Sequence, residues 1–337
     1  MADFPKVGFP YITQAFTDRP KLWRYLLGLL LVIVFFMLGQ IASLGLFFAI
    51  EGSDAPLINE NGAFDLMATK VPPAVSLVIY LILPFGVGII GLFLAMKYIH
   101  KRSFVSLFSP WKNIDWKRYW VSFGLWLALA MIMEVIFYLL NPELYTFSYD
   151  PGKFWPLVLV GLIFFPIQTS CEEFIFRGYL LQGFGIASLR GWVSILITAA
   201  LFGILHGSNP EVLKYGPIIL SYYIGVGILL GILTWLDQRI ELALGIHAAN
   251  NFFAAVFLTF SSSAIQTPAL FTTEDPNMVT MMVGWLISAA IALAILIPMF
   301  GLKKWSSLWE SIPIPTSIIN HSVESSGEDD VNSIPNV

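Results

Sequence analysis

Cysteine is almost missing from this chain of 337 residues. Cys171 stands alone, which excludes an intramolecular disulfide and every cluster that needs several thiolates. Charge is scarce too, at 12% of residues with a formal net charge of −4. No HExxH, GxSxG, P-loop or Rossmann glycine pattern occurs, so the familiar soluble templates for zinc hydrolases, serine hydrolases and nucleotide binders are absent. Apolar side chains fill the space instead: 57% of residues are hydrophobic and the mean hydropathy is +0.76, values that ordinary soluble domains do not approach.

Crossing about 30 Å of hydrocarbon takes about 20 apolar residues per helix, and such runs recur along the chain. They lie near residues 26–50, 74–96, 119–140, 155–181, 192–208, 216–236, 240–260 and 278–300. Runs such as "LLGLLLVIVFFMLG" show no alternating polarity, which argues against a β-barrel. The expected fold is an all-α polytopic membrane protein with about eight transmembrane helices. Residues 1–25 form an N-terminal segment, 26–302 the helical domain, and 303–337 a Ser-, Pro- and acid-rich tail expected to be disordered. The first span is much longer than a signal-peptide apolar core and is expected to remain as an anchor. Of the 18 Lys and Arg residues, all but Lys70, Lys153 and Lys214 fall on one side of an eight-span topology. That bias predicts a multi-pass protein of the cell membrane with both termini in the cytoplasm.

Against this background the stretch "TSCEEFIFRGYLL" is anomalous, because carboxylates inside an apolar span are expensive. Glu172 and Glu173 are separated by about 100° on a helix, so they serve different faces. Glu173 lies four residues before Arg177, the favourable order for a helical ion pair. Glu172 has Phe176 at that spacing, so its carboxylate must meet another helix or a wet pocket, which is how a general base would be placed. Two of the four histidines, His206 and His247, also lie in apolar spans, while His100 and His321 lie in a loop and in the tail. Asn251 follows His247 by four residues and shares its helix face. Asn250 points elsewhere and is expected to pack. Counting 1.5 Å per residue, Glu172, His206, His247 and Asn251 reach similar depths and are expected to meet in the cytoplasmic half of the membrane. Glu134 is a further intramembrane acid that pairs, stays protonated or lines the same cavity.

The ordered set "EEFIFR" (Glu172 to Arg177), "FGILH" (Phe202 to His206) and "HAANN" (His247 to Asn251) resembles the CPBP intramembrane proteases. This family is also called Abi and includes the type II CAAX prenyl endopeptidases. The resemblance covers about residues 155–260, within spans four to seven. It implies hydrolysis of a peptide bond in a membrane-anchored peptide or protein substrate. In that reading Glu172 with His206 activates water, His247 with Asn251 forms the oxyanion site, and Glu173 and Arg177 support the helix. Members of the family are also described as metalloproteases. Glu172, His206 and His247 match the ligand set of a catalytic zinc, but without an HExxH the metal-free glutamate mechanism is preferred and no cofactor is expected. The bilayer is an expected partner and nucleic acid is not. Two other readings stay open on the sequence: a proton-coupled transporter using the same ionisable residues, and a non-proteolytic membrane scaffold or immunity protein.

Overall fold

The protein is described by a computed structural model over residues 8–16, 22–52, 64–65, 69–111, 113–260, 262–273 and 277–314. Helix accounts for 77% and strand for 4%, in keeping with the all-α expectation. Eight principal helices follow one another: α1 (Leu22–Glu51), α2 (Pro73–Ile99), α3 (Trp116–Leu140), α4 (Pro151–Ser188), α5 (Gly191–Leu205), α6 (Pro217–Asp237), α7 (Glu241–Val256) and α8 (Met278–Phe300). Local sequence sets several of the starts. Asp115 and Asn277 accept from backbone N–H groups at the beginnings of α3 and α8, and Asp150 with Pro151 opens α4.

The expected eight spans become six among the described residues. Helices α1, α2, α3, α4, α6 and α8 are long and apolar enough to cross a membrane. Helices α5 and α7 hold only 15 and 16 residues, about 22–24 Å at 1.5 Å per residue. The reason is visible at their ends. Helix α7 begins on a buried ion pair in which Arg239 donates to both oxygens of Glu241, and it ends by passing into a strand. It packs on α3, α4 and α6 and is buried along nearly its whole length, so an apolar run that looked lipid-bound is in fact covered by protein. Close backbone approach makes this possible. A Cβ at Gly245 would collide with the Tyr119 carbonyl oxygen, and one at Gly227 would lie 2.7 Å from the Ala199 Cα.

The two ends of the bundle differ. Five short strands gather at one: β1 (Phe64–Asp65), β2 (Tyr145–Phe147), β3 (Leu258–Phe260), β4 (Ile265–Gln266) and β5 (Phe271–Thr273). β1 pairs with β4, while β5 lies antiparallel to β2 and parallel to β3. The strands come from three of the four connections that an alternating eight-helix topology assigns to one side, and these three meet at one end. The opposite end is ionic: Arg118 donates to Asp237 at 3.0 Å, and Arg102 to Gln182 at 2.7 Å. His100 also belongs there, 2.6 Å from the Tyr179 hydroxyl, and burial beside Arg102 and Arg24 pushes its imidazole down to about 4. The side chain is therefore neutral near pH 7.

Residues 303–312 correct the expected boundary of the tail. Lys303 N–H donates to the Leu236 carbonyl, Trp235 donates to the Ser307 carbonyl, and Leu308 and Ile312 are buried. These apolar anchors hold the segment against the bundle. The remainder of the expected tail, 315–337, lies outside the described residues, as do residues 1–7 and 17–21 of the N-terminal segment and most of the first connection.

Candidate active site

Helix α4 changes character where its acids stand. Pro151–Glu173 is α-helical, and Phe174–Leu180 winds as a π-helix before the α-helix resumes. Single π-turns of this kind are frequent at functional sites. Here the turn carries Arg177 into the protein interior, where one guanidinium nitrogen donates to Glu173 Oε1 at 2.6 Å and another to the Gly227 carbonyl on α6 at 3.3 Å. The guanidinium carbon lies 4.7 Å over the Phe202 ring of α5. Glu173 and Arg177 are essentially inaccessible, at 0% and 1% exposure, so each charge depends on the other. The i,i+4 pair expected from the spacing is present and joins three helices.

His247 on α7 bridges the adjacent acids. Its Nδ1 lies 2.7 Å from Glu173 Oε1 and its Nε2 lies 3.3 Å from Glu172 Oε2. Glu173 already accepts from Arg177, so Nδ1–H donates to it. Nε2 is then the nitrogen that faces Glu172. The sequence reading paired Glu172 with His206, whereas in the structure the imidazole directly beside Glu172 is that of His247. His206 caps α5. Its Nδ1 lies 2.8 Å from the Phe202 carbonyl, which only accepts, so Nδ1 carries the proton and Nε2 is left as an acceptor. The ring is clamped between Phe202 and Tyr223, stacking on Tyr223 at 4.2 Å.

Asn251 enters through a relay that sequence reasoning missed. Trp126 N–H and the Tyr222 hydroxyl both donate to Asn250 Oδ1, at 3.4 and 3.2 Å. An indole nitrogen can only donate, which fixes the Asn250 amide with its nitrogen forward. Asn250 then donates to Asn251 Oδ1 at 3.4 Å, Asn251 to Gln168 Oε1 at 3.3 Å, and Gln168 to Glu172 Oε1 at 3.4 Å. Asn250, expected only to pack, is thus part of the site. Gln168 had a signal in the sequence, since it precedes Glu172 by four residues on the same face. Gln168→Leu is expected to lower kcat about tenfold, the scale for losing a side chain that holds a reacting group in place, with an unchanged melting profile. Steady-state kinetics beside thermal unfolding checks it.

Glu172, His206, His247 and Asn251 line one cavity of about 330 Å³, and Glu173 and Arg177 stand behind its wall. The wall continues through Glu134, which accepts from the Tyr145 hydroxyl, to Phe260 of β3 and Met278 at the start of α8. The cavity therefore reaches the strand-bearing end. A metal fits this arrangement poorly. Among the described residues no three His, Cys, Asp or Glu side chains stand where they could jointly hold one ion.

Fold and site together define a multi-pass helical membrane protein with a carboxylate and two imidazoles around an internal polar cavity. Residues 151–253 match the family described as type II CAAX prenyl endopeptidase Rce1-like. The uncharacterized protein YyaK of Bacillus subtilis (strain 168) is 35% identical over 263 residues, which span 76% of this chain and 85% of that protein. No solved structure matches. The chain belongs to the Rce1-like family of CAAX-type intramembrane proteases.

Proposed function

We propose that this protein is an intramembrane endopeptidase that cleaves a membrane-anchored peptide or protein by a glutamate mechanism. The observation that carries the reading is the approach of Glu172 Oε2 to His247 Nε2, 3.3 Å, on the wall of a cavity shared with His206 and Asn251. Glu172 takes a proton from water while the water oxygen attacks the carbonyl carbon, and His206 Nε2 helps hold that water. The proton moves to His247, whose imidazolium is balanced by Glu173 on its far side. His247 Nε2–H and the second N–H of the Asn251 amide then donate to the tetrahedral oxyanion. Collapse breaks the C–N bond, and the proton passes to the departing amine. No step uses a metal.

The test is hydrolysis of lipid-anchored fluorogenic peptides by the purified protein in liposomes, with and without a zinc chelator. Cleavage at a rate the chelator leaves unchanged is expected. No cleavage would overturn the reading, and loss on chelation that zinc restores would overturn its metal-free form.

The proposal also orients the protein in the cell membrane, with the basic end and both termini in the cytoplasm. The native Cys171 is buried, so a new surface cysteine can be read alone. In intact cells a membrane-impermeant maleimide is expected to label Tyr149→Cys at once and Trp309→Cys only after permeabilisation; both native side chains are exposed. The opposite pattern would invert the topology.

A further inference from the structure

Beyond His206 the chain turns into the short helix Pro210–Tyr215, and its Glu211 faces the same cavity although nothing in the proposed hydrolysis uses it. Glu211 is 6% exposed. Its Oε1 accepts from the Tyr223 hydroxyl and, at 3.2 Å, from the Asn209 amide, which also donates to Tyr223 at 3.1 Å. Its Oε2 is buried and has no hydrogen-bond partner among the described residues. One oxygen is thus held in a fixed cradle while the other waits for a donor, an arrangement that is costly unless something supplies one. The neighbouring cation in sequence, Lys214, sets its ammonium 5.0 Å over the Tyr215 ring.

The rest of the cavity has the same sign. Its described lining contains three carboxylates, Glu134, Glu172 and Glu211, and no Lys or Arg. Such a wall attracts a cation and repels a free C-terminal carboxylate. Tyr223, which holds Glu211, also stacks on His206, so Glu211 lies one side chain away from the proposed catalytic groups. Resting on the hydrolase reading, we infer that Glu211, with Asn209 and Tyr223, forms a subsite for a Lys or Arg side chain of the substrate close to an internal peptide bond. An ammonium or guanidinium would give Oε2 a charge-assisted hydrogen bond.

The experiment uses full-length Glu172→Gln protein in nanodiscs of zwitterionic lipid. The probes are N-palmitoylated, C-terminally amidated peptides in which Lys, Met or Glu is scanned through the central positions. In at least one register Lys is expected to bind about tenfold tighter than Met, and Glu weaker than both. Adding Glu211→Gln should abolish the preference, whereas Glu211→Asp, which keeps the charge, should retain part of it. Equal binding of Lys and Met peptides in every register would overturn the subsite, as would a preference that survives Glu211→Gln. Cleavage of the same peptides by the wild-type protein separates the two claims. A lysine preference in binding without any cleavage sinks the hydrolase reading and keeps the subsite, and cleavage indifferent to lysine does the reverse.

Discussion

Glu172→Gln is expected to slow peptide hydrolysis by about 10²–10⁴-fold, the usual contribution of a positioned general base, and to leave the fold and KM nearly unchanged. The amide is isosteric, and its oxygen still accepts from Gln168, which holds Glu172 Oε1 at 3.4 Å in the native protein. What it cannot do is take a proton and return it across the 3.3 Å gap to His247. The loss therefore falls on kcat, as expected for an interaction made only in the transition state. Kinetics on lipid-anchored peptides, with thermal unfolding as the control for folding, measures it. A variant that keeps more than about a tenth of the native kcat would leave too little for a base to contribute.

Arg177→Met acts on stability first. It removes the guanidinium bonded to Glu173, a carboxylate at 0% exposure, and it also strips a side-chain donor from the Gly227 carbonyl of α6. Breaking a buried pair on one side typically costs about 3–5 kcal/mol, enough to unfold a large share of the molecules. Replacing Glu173 by Gln in the same protein removes the stranded charge, so the double variant should recover most of that loss. Unfolding curves of the native protein, both single variants and the double variant in one detergent form the cycle. A single Arg177→Met protein as stable as the native one would contradict the account of the pair.

Several of these features were legible before any coordinates, and the reasons differ from one to the next. The Glu173–Arg177 pair could be read because both residues share one helix, where spacing fixes the geometry. Gln168 was equally local, though only the structure drew attention to it. The choice of His247 over His206 as the direct neighbour of Glu172 was hidden, because it depends on how α7 packs against α4, two helices far apart in the chain. Asn250 was hidden for a similar reason: its partners, Trp126 and Tyr222, come from α3 and α6. The count of eight spans is not confirmed at α5, whose apolar helix has only 15 residues, and at α7, where a helix buried by other helices and one bathed in lipid carry the same apolar signal. The packed segment 303–312 was obscured by the surrounding Ser and Pro, although Leu308 and Ile312 anchor it.

The central claim is that Glu172 performs hydrolysis on substrates within the host membrane, and terminal proteomics of those membranes tests it most directly. Cells carrying the native gene are compared with cells carrying Glu172→Gln at equal protein level. The account predicts that one or more membrane-anchored precursors accumulate uncut in the variant, and that their new termini appear only with the native protein. Identical sets of termini in the two membranes, with the protein folded and present in both, would contradict it.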